Sequence, residues 1–111
     1  MVRNQYSQNI KSTMMTPEEQ QQTIQWIYQY KASDGGYEEK GTSNMYSSYY
    51  AIESLQLLNA SKSQPNIHFF SWLHSLKFQE GGVQPLMSYG KPDLLSTYFA
   101  LIIMRQLRQP I

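Results

Sequence analysis

The side chains able to do acid–base or metal chemistry are few and scattered in this sequence. Beyond the first helix the carboxylates are Asp34, Glu38, Glu39, Glu53, Glu80 and Asp93. A carboxyl that donates protons must be held protonated by its neighbours, and no tight acidic cluster is present. His68 and His74 are six residues apart, which does not put both rings on one helical face as a shared metal would need. A lone histidine in an apolar segment is more often structural than catalytic. The chain has no cysteine, so thiolate chemistry, sulfur ligands and disulfides are excluded. No Ser-His-Asp arrangement, phosphate loop or dinucleotide fingerprint occurs. Asp34 and Glu80 most simply tie down turns by bonding local amides. Asp93 most simply opens a helix, favoured there by the helix dipole.

Tyrosine is the abundant polar-edged residue, with nine copies, several of them in "NMYSSYYAIESLQLL" at 44–58. It suits ligand walls and helix packing equally well. Four helices must position these residues. Thr16-Pro17-Glu18-Glu19 places a hydroxyl N-cap, proline at the first helical position and glutamate at the third. Ile24, Ile27 and Tyr28 follow at helical spacing, with Trp26 and Tyr30 broadening the stripe. Gly35-Gly36 is expected to stop this helix. A second helix is expected over about Tyr46–Asn59, capped by Ser43 or Asn44, with Ala51, Ile52, Leu55 and Leu58 inward. The polar linker "NASKSQPN" makes a turn. A third helix is expected over about Pro65–Lys77, with Gly81-Gly82 ending its region. A fourth, about Pro92–Arg108, carries "YFALIIM" and reads as buried on every side. Residues 1–15 show no sustained period and read as a flexible arm.

The bulk numbers remove several functions. At 111 residues, 41% hydrophobic and net charge +1, the chain is one domain with a modest core. It lacks the basic stripe of a nucleic-acid binder. It has no signal-peptide pattern and no apolar run near 18 residues, so a cytoplasmic location is expected.

The two halves repeat. Trp26-Ile27 matches Trp72-Leu73, Lys31 matches Lys77, Asp34 matches Glu80, and Gly35-Gly36 matches Gly81-Gly82, all at an offset of 46 residues. After a second loop three residues longer, the offset is 49. Asn44 then meets Asp93, Ser47-Ser48 meets Ser96-Thr97, Tyr49-Tyr50-Ala51 meets Tyr98-Phe99-Ala100, and Leu58 meets Leu107. The unit is helix, Gly-Gly turn, loop, helix, a length at which arrays occur. The chain therefore divides into repeat 1, about 16–60, and repeat 2, about 61–109, within one all-α domain over 16–111.

"WIYQYKASDGGY…SSYYAIESLQLL" and "WLHSLKFQEGGV…PDLLSTYFALIIM" resemble the prenyltransferase and squalene-cyclase repeat over about 20–108. The resemblance implies helical hairpins of the α/α-toroid type, in which the helix after each Gly-Gly loop lines a central cavity. Its N-terminal end would sit at the mouth. That makes Asn44, Tyr46, Tyr49, Tyr50, Ser96, Tyr98 and Phe99 the candidate ligand-binding residues and Asp93 the candidate catalytic group. Protein prenyltransferases of this kind hold zinc through aspartate, cysteine and a histidine in a "DxYHT"-like stretch. Here Ser96 stands at the histidine position, and serine is a poor zinc ligand. The cyclases use a DxDD acid motif that this chain lacks, and Lys31 and Lys77 replace the glutamine usual before the turn. No metal and no cofactor is expected.

Two hairpins do not close a toroid, and repeat units bury their faces only against neighbours. An exposed apolar surface of that kind finds a partner. The chain is expected either to fold as a compact four-helix bundle or to remain a partial toroid. A partial toroid would be completed by copies of itself, three giving six hairpins, or by a larger toroid-type protein. Three functions follow: a non-catalytic or partner-dependent module binding an apolar, isoprenoid-like ligand or peptide; a prenyl or terpene enzyme subunit whose site forms on oligomerisation; or a structural interaction module.

Overall fold

The computed structural model describes residues 15–39, 42–60 and 67–107. The expected N-terminal arm, apart from Met15, lies outside them, as do the linker after Ala60 and the last residues of the chain. Four helices follow in order: α1 (Pro17–Tyr28), α2 (Met45–Leu57), α3 (Ile67–Ser75) and α4 (Leu94–Gln106). Among the described residues the only extended pairings are isolated bridges, so the fold is all-α.

The first helix starts as its residues dictate. The Thr16 hydroxyl accepts from the Glu19 amide at 3.1 Å, and the Glu19 carboxylate accepts from the Thr16 amide at 2.8 Å. The pair satisfies two otherwise orphaned donors. Asn44 and Asp93 cap α2 and α4 identically, accepting from the Ser47 and Ser96 amides at 2.8 and 2.7 Å.

The end of α1 differs from expectation. It stops at Tyr28, well before the glycines. The amide of Glu38 claims the Tyr30 carbonyl at 2.9 Å, and Lys31 bridges Tyr37. A carbonyl committed to that bridge is lost to a continuing helix. Gly35-Gly36 is thus the tip of a small loop rather than a helix stop. Gly81-Gly82 is likewise separated from α3, which ends at Ser75.

The repeat recurs in the hydrogen bonds that tie each loop to its inner helix. The Ser48 hydroxyl accepts from the Tyr37 amide at 2.9 Å, and the Thr97 hydroxyl accepts from the Val83 amide at 2.9 Å. Ala32 donates to Gly36 as Phe78 does to Gly82, and Asn44 donates to Tyr37 as Asp93 does to Val83. Inner helices α2 and α4 begin and end 49 residues apart. The glycine turn of the first repeat presses on α3: a Cβ on Gly35 would lie 2.4 Å from the His68 carbonyl oxygen.

Ile52 and Leu55 of α2, Phe69, Trp72 and Leu73 of α3, and Ala100, Ile103 and Met104 of α4 form the core. The fourth helix is not buried on every side. Its Phe99, Ala100, Ile103 and Met104 face inward, but Leu94, Leu95, Tyr98 and Leu101 are exposed. Only one repeat flanks α4, so only one of its apolar faces is covered. Among the described residues no helix is long and apolar enough to cross a membrane.

Candidate functional site

The junction of α2 with α4 gathers most of the candidate residues. Tyr49 of α2 lies flat on Phe99 of α4, with ring centroids 4.0 Å apart and planes 5° from parallel. Tyr46 meets the same ring edge-on at 6.3 Å, and Tyr50 does so at 5.7 Å. Phe99 is buried, so these rings join the two repeats. Such aromatic pairs add to what area burial alone contributes. Tyr98 touches the cluster from the far side, 6.1 Å from Phe99, and points to the open edge of α4.

A polar strand runs beside the rings. The Tyr46 hydroxyl donates to Asp93 Oδ2 at 2.9 Å, while Asp93 Oδ1 accepts from the Ser96 amide. Burial pushes the Asp93 carboxyl up, but hydrogen bonds from the Ser96 amide and the Tyr46 hydroxyl outweigh it and hold the group below the ordinary value of 3.8. Burial raises the Tyr46 hydroxyl above 10.0, and the Asp93 carboxylate adds to the rise. Asp93 is therefore a firmly ionised cap with both oxygens engaged. Ser96 is fully buried, and its hydroxyl lies beside the Tyr46 hydroxyl and the Asp93 carboxylate. Asn44 is the uncharged counterpart of Asp93 at the start of α2. Among the described residues no three histidine, aspartate or glutamate side chains converge as metal ligands would. Asp34 bonds its own turn, accepting from the Gly36 amide at 3.1 Å and from the Ser43 hydroxyl.

A concave feature walled by aromatic rings lies elsewhere, on the opposite side of α2; a larger, more polar one of about 400 Å³ lies between the start of α1 and the end of α2. A groove of about 190 Å³ runs between α1 and α2, walled by Trp26, Tyr30, Tyr37, Tyr50 and Ala51. Of the candidate ligand-binding residues, only Tyr50 reaches it. Trp26 stands edge-on to Tyr30 at 5.1 Å and keeps more than half its surface exposed. Helical spacing places Trp26 and Tyr30 on the core stripe; their exposure depends on how many neighbours the repeat has, and spacing carries no signal of that.

The family model of the prenyltransferase alpha-alpha toroid domain matches residues 7–110. Comparison with curated proteins and with solved structures gave no match.

Proposed function

We propose, from the premise that this chain belongs to the prenyltransferase alpha-alpha toroid family, that it is a non-catalytic, partner-dependent module that receives an apolar helical segment in its α1/α2 groove. The groove carries this reading. It is partly open to solvent and walled by aromatic rings, a surface that can take the apolar side chains of an amphipathic helix. At about 190 Å³ it falls short of the roughly 300 Å³ or more that encloses a small-molecule ligand. It suits a few inserted side chains better than a whole isoprenoid.

Asp93 supports the non-catalytic part. A general acid must hold a proton near working pH, whereas hydrogen bonds to this carboxyl favour its ionised form. Its other oxygen is occupied by Tyr46.

Trp26 fluorescence tests the proposal, read in a Trp72→Phe background. Titration with an apolar amphipathic helical peptide should shift the emission to the blue, and Tyr50→Glu should abolish the shift. No turnover of a prenyl diphosphate is expected. Turnover that is lost in Asp93→Asn and kept in Asp34→Asn would make the chain an enzyme subunit instead.

A further inference from the structure

The internal repeat supplies a template for what covers the open faces. Each residue lining the groove has a counterpart in the second repeat, 46 residues on in the outer helix and turn, 49 in the inner helix. Every one of those counterparts is buried. Half-open Trp26 corresponds to buried Trp72, Tyr30 to Leu76, Tyr50 to Phe99, and Ser54 to Ile103.

The burying is done by the first repeat, through α2 and its glycine turn. Tyr49 covers Phe99, and Met45 and Ile52 on the same face are themselves buried. Their own counterparts on α4 are Leu94, Tyr98 and Leu101, which are 89%, 57% and 40% exposed. The glycine turns behave alike. Gly35 packs on the backbone of His68 and Phe69, whereas a Cβ on Gly81 would meet nothing within 4 Å. Among the described residues the chain thus carries both halves of the contact it makes internally, each uncovered, at opposite ends.

Resting on the partner-dependent reading above, we infer that the helix received by the groove is α4 of a second copy of this chain, docked head-to-tail. Leu94, Tyr98 and Leu101 of one copy enter the α1/α2 groove of the next. Tyr98 lies against Tyr50 of the next copy, as Phe99 lies against Tyr49 within the chain. Gly81 lies against the backbone at Gln22 and Thr23, the counterparts of His68 and Phe69. One polar link is not reproduced: the Tyr46–Asp93 hydrogen bond becomes Leu95 opposite Asn44. The contact between copies is accordingly weaker than the internal one and depends on concentration. It joins two different surfaces, so it continues until it closes; three copies bring six hairpins.

Size-exclusion chromatography with light scattering decides this on the full chain. The wild type at high micromolar concentration should run as a discrete multiple of 13.0 kDa. An edge variant, Leu94→Glu with Tyr98→Glu, and a groove variant, Tyr50→Glu, alter exposed residues and should each run as folded monomers by circular dichroism. Mixed one to one, they retain a single intact pair of faces and should form a dimer and nothing larger. A monomeric wild type overturns the inference, as does a groove variant that still self-associates or a mixture that stays monomeric. If the wild type is monomeric while Trp26 still responds to a helical peptide, the second copy falls and the partner-dependent module stands.

Discussion

Replacing Gly35 and Gly81 by alanine, one at a time, separates backbone conformation from packing between the repeats. Both glycines have positive φ, +104° and +116°. A side chain at either position carries the same conformational penalty, roughly 1–3 kcal/mol. The two differ in their surroundings. At Gly35 the new Cβ would sit 2.4 Å from the His68 carbonyl oxygen and 2.7 Å from the Phe69 amide nitrogen. Those atoms belong to the first turn of α3 and cannot swing aside as a side-chain tip would. At Gly81 the Cβ would meet open space. Forcing bulk into a packed contact costs typically about 1–3 kcal/mol, so Gly35→Ala should exceed Gly81→Ala by about that amount. At this chain length each kcal/mol lowers the melting temperature by roughly 4 °C. Thermal unfolding followed at 222 nm, in dilute solution where contacts between copies are absent, reads the gap directly. Equal melting temperatures for the two variants would refute the packing of the glycine turn on α3.

Three further outcomes are expected. Ser48→Ala and Thr97→Val each strip the acceptor from an inward-facing loop amide, that of Tyr37 or Val83. Each should cost about 1–3 kcal/mol in urea unfolding; a loss from only one of them would break the equivalence of the repeats. Burial, with a smaller contribution from Tyr28, raises Tyr37 to about 12. Because the folded value lies above the unfolded one, near 10.0, stability is complete below pH 10 and falls as pH rises toward 12. Tyr37→Phe should flatten that alkaline loss, and an unchanged slope would assign it to another group. Asp93 shows the opposite sign. Its folded value is depressed, so its contribution is present above the ordinary 3.8 and is lost as the solution is acidified through the folded value. Asp93→Asn, which keeps a capping oxygen as Asn44 does, should show a shallower acid limb in pH-dependent denaturation; a limb identical to wild type would sink the assignment.

Local rules made much of this fold readable in advance. The Thr16 capping box, the Asn44 and Asp93 caps and the paired helices all follow from side chains acting within one turn of themselves. The end of α1 falls short of the glycine stop signal because the Tyr30 carbonyl accepts from the Glu38 amide, a tertiary choice that overrides it. The burial of α4 departs from its sequence pattern for another reason. An all-apolar helix states how much surface it can bury, but not how many neighbours are present to bury it. The candidate residues came together only in part. Tyr46, Tyr49, Phe99 and Asp93 meet because the repeat places α2 beside α4. The groove leaves no mark in the sequence because Trp26 and Tyr30 carry the same helical spacing whether a neighbour covers them or not.

The amide of Met45, first in α2, donates to the Pro85 carbonyl at 2.7 Å, across the boundary between repeats. The start of one inner helix is therefore completed by the loop of its successor, forty positions later in the chain. Leu94 holds the equivalent place in α4, at the exposed edge. Cohesion in such an array is directional: the start of each inner helix is tied to the loop of the unit that follows, while the groove of each unit is covered by the inner helix of the unit before it. A lone hairpin would leave its inner helix open at the start, as α4 is at Leu94; the second hairpin closes that start for α2 alone.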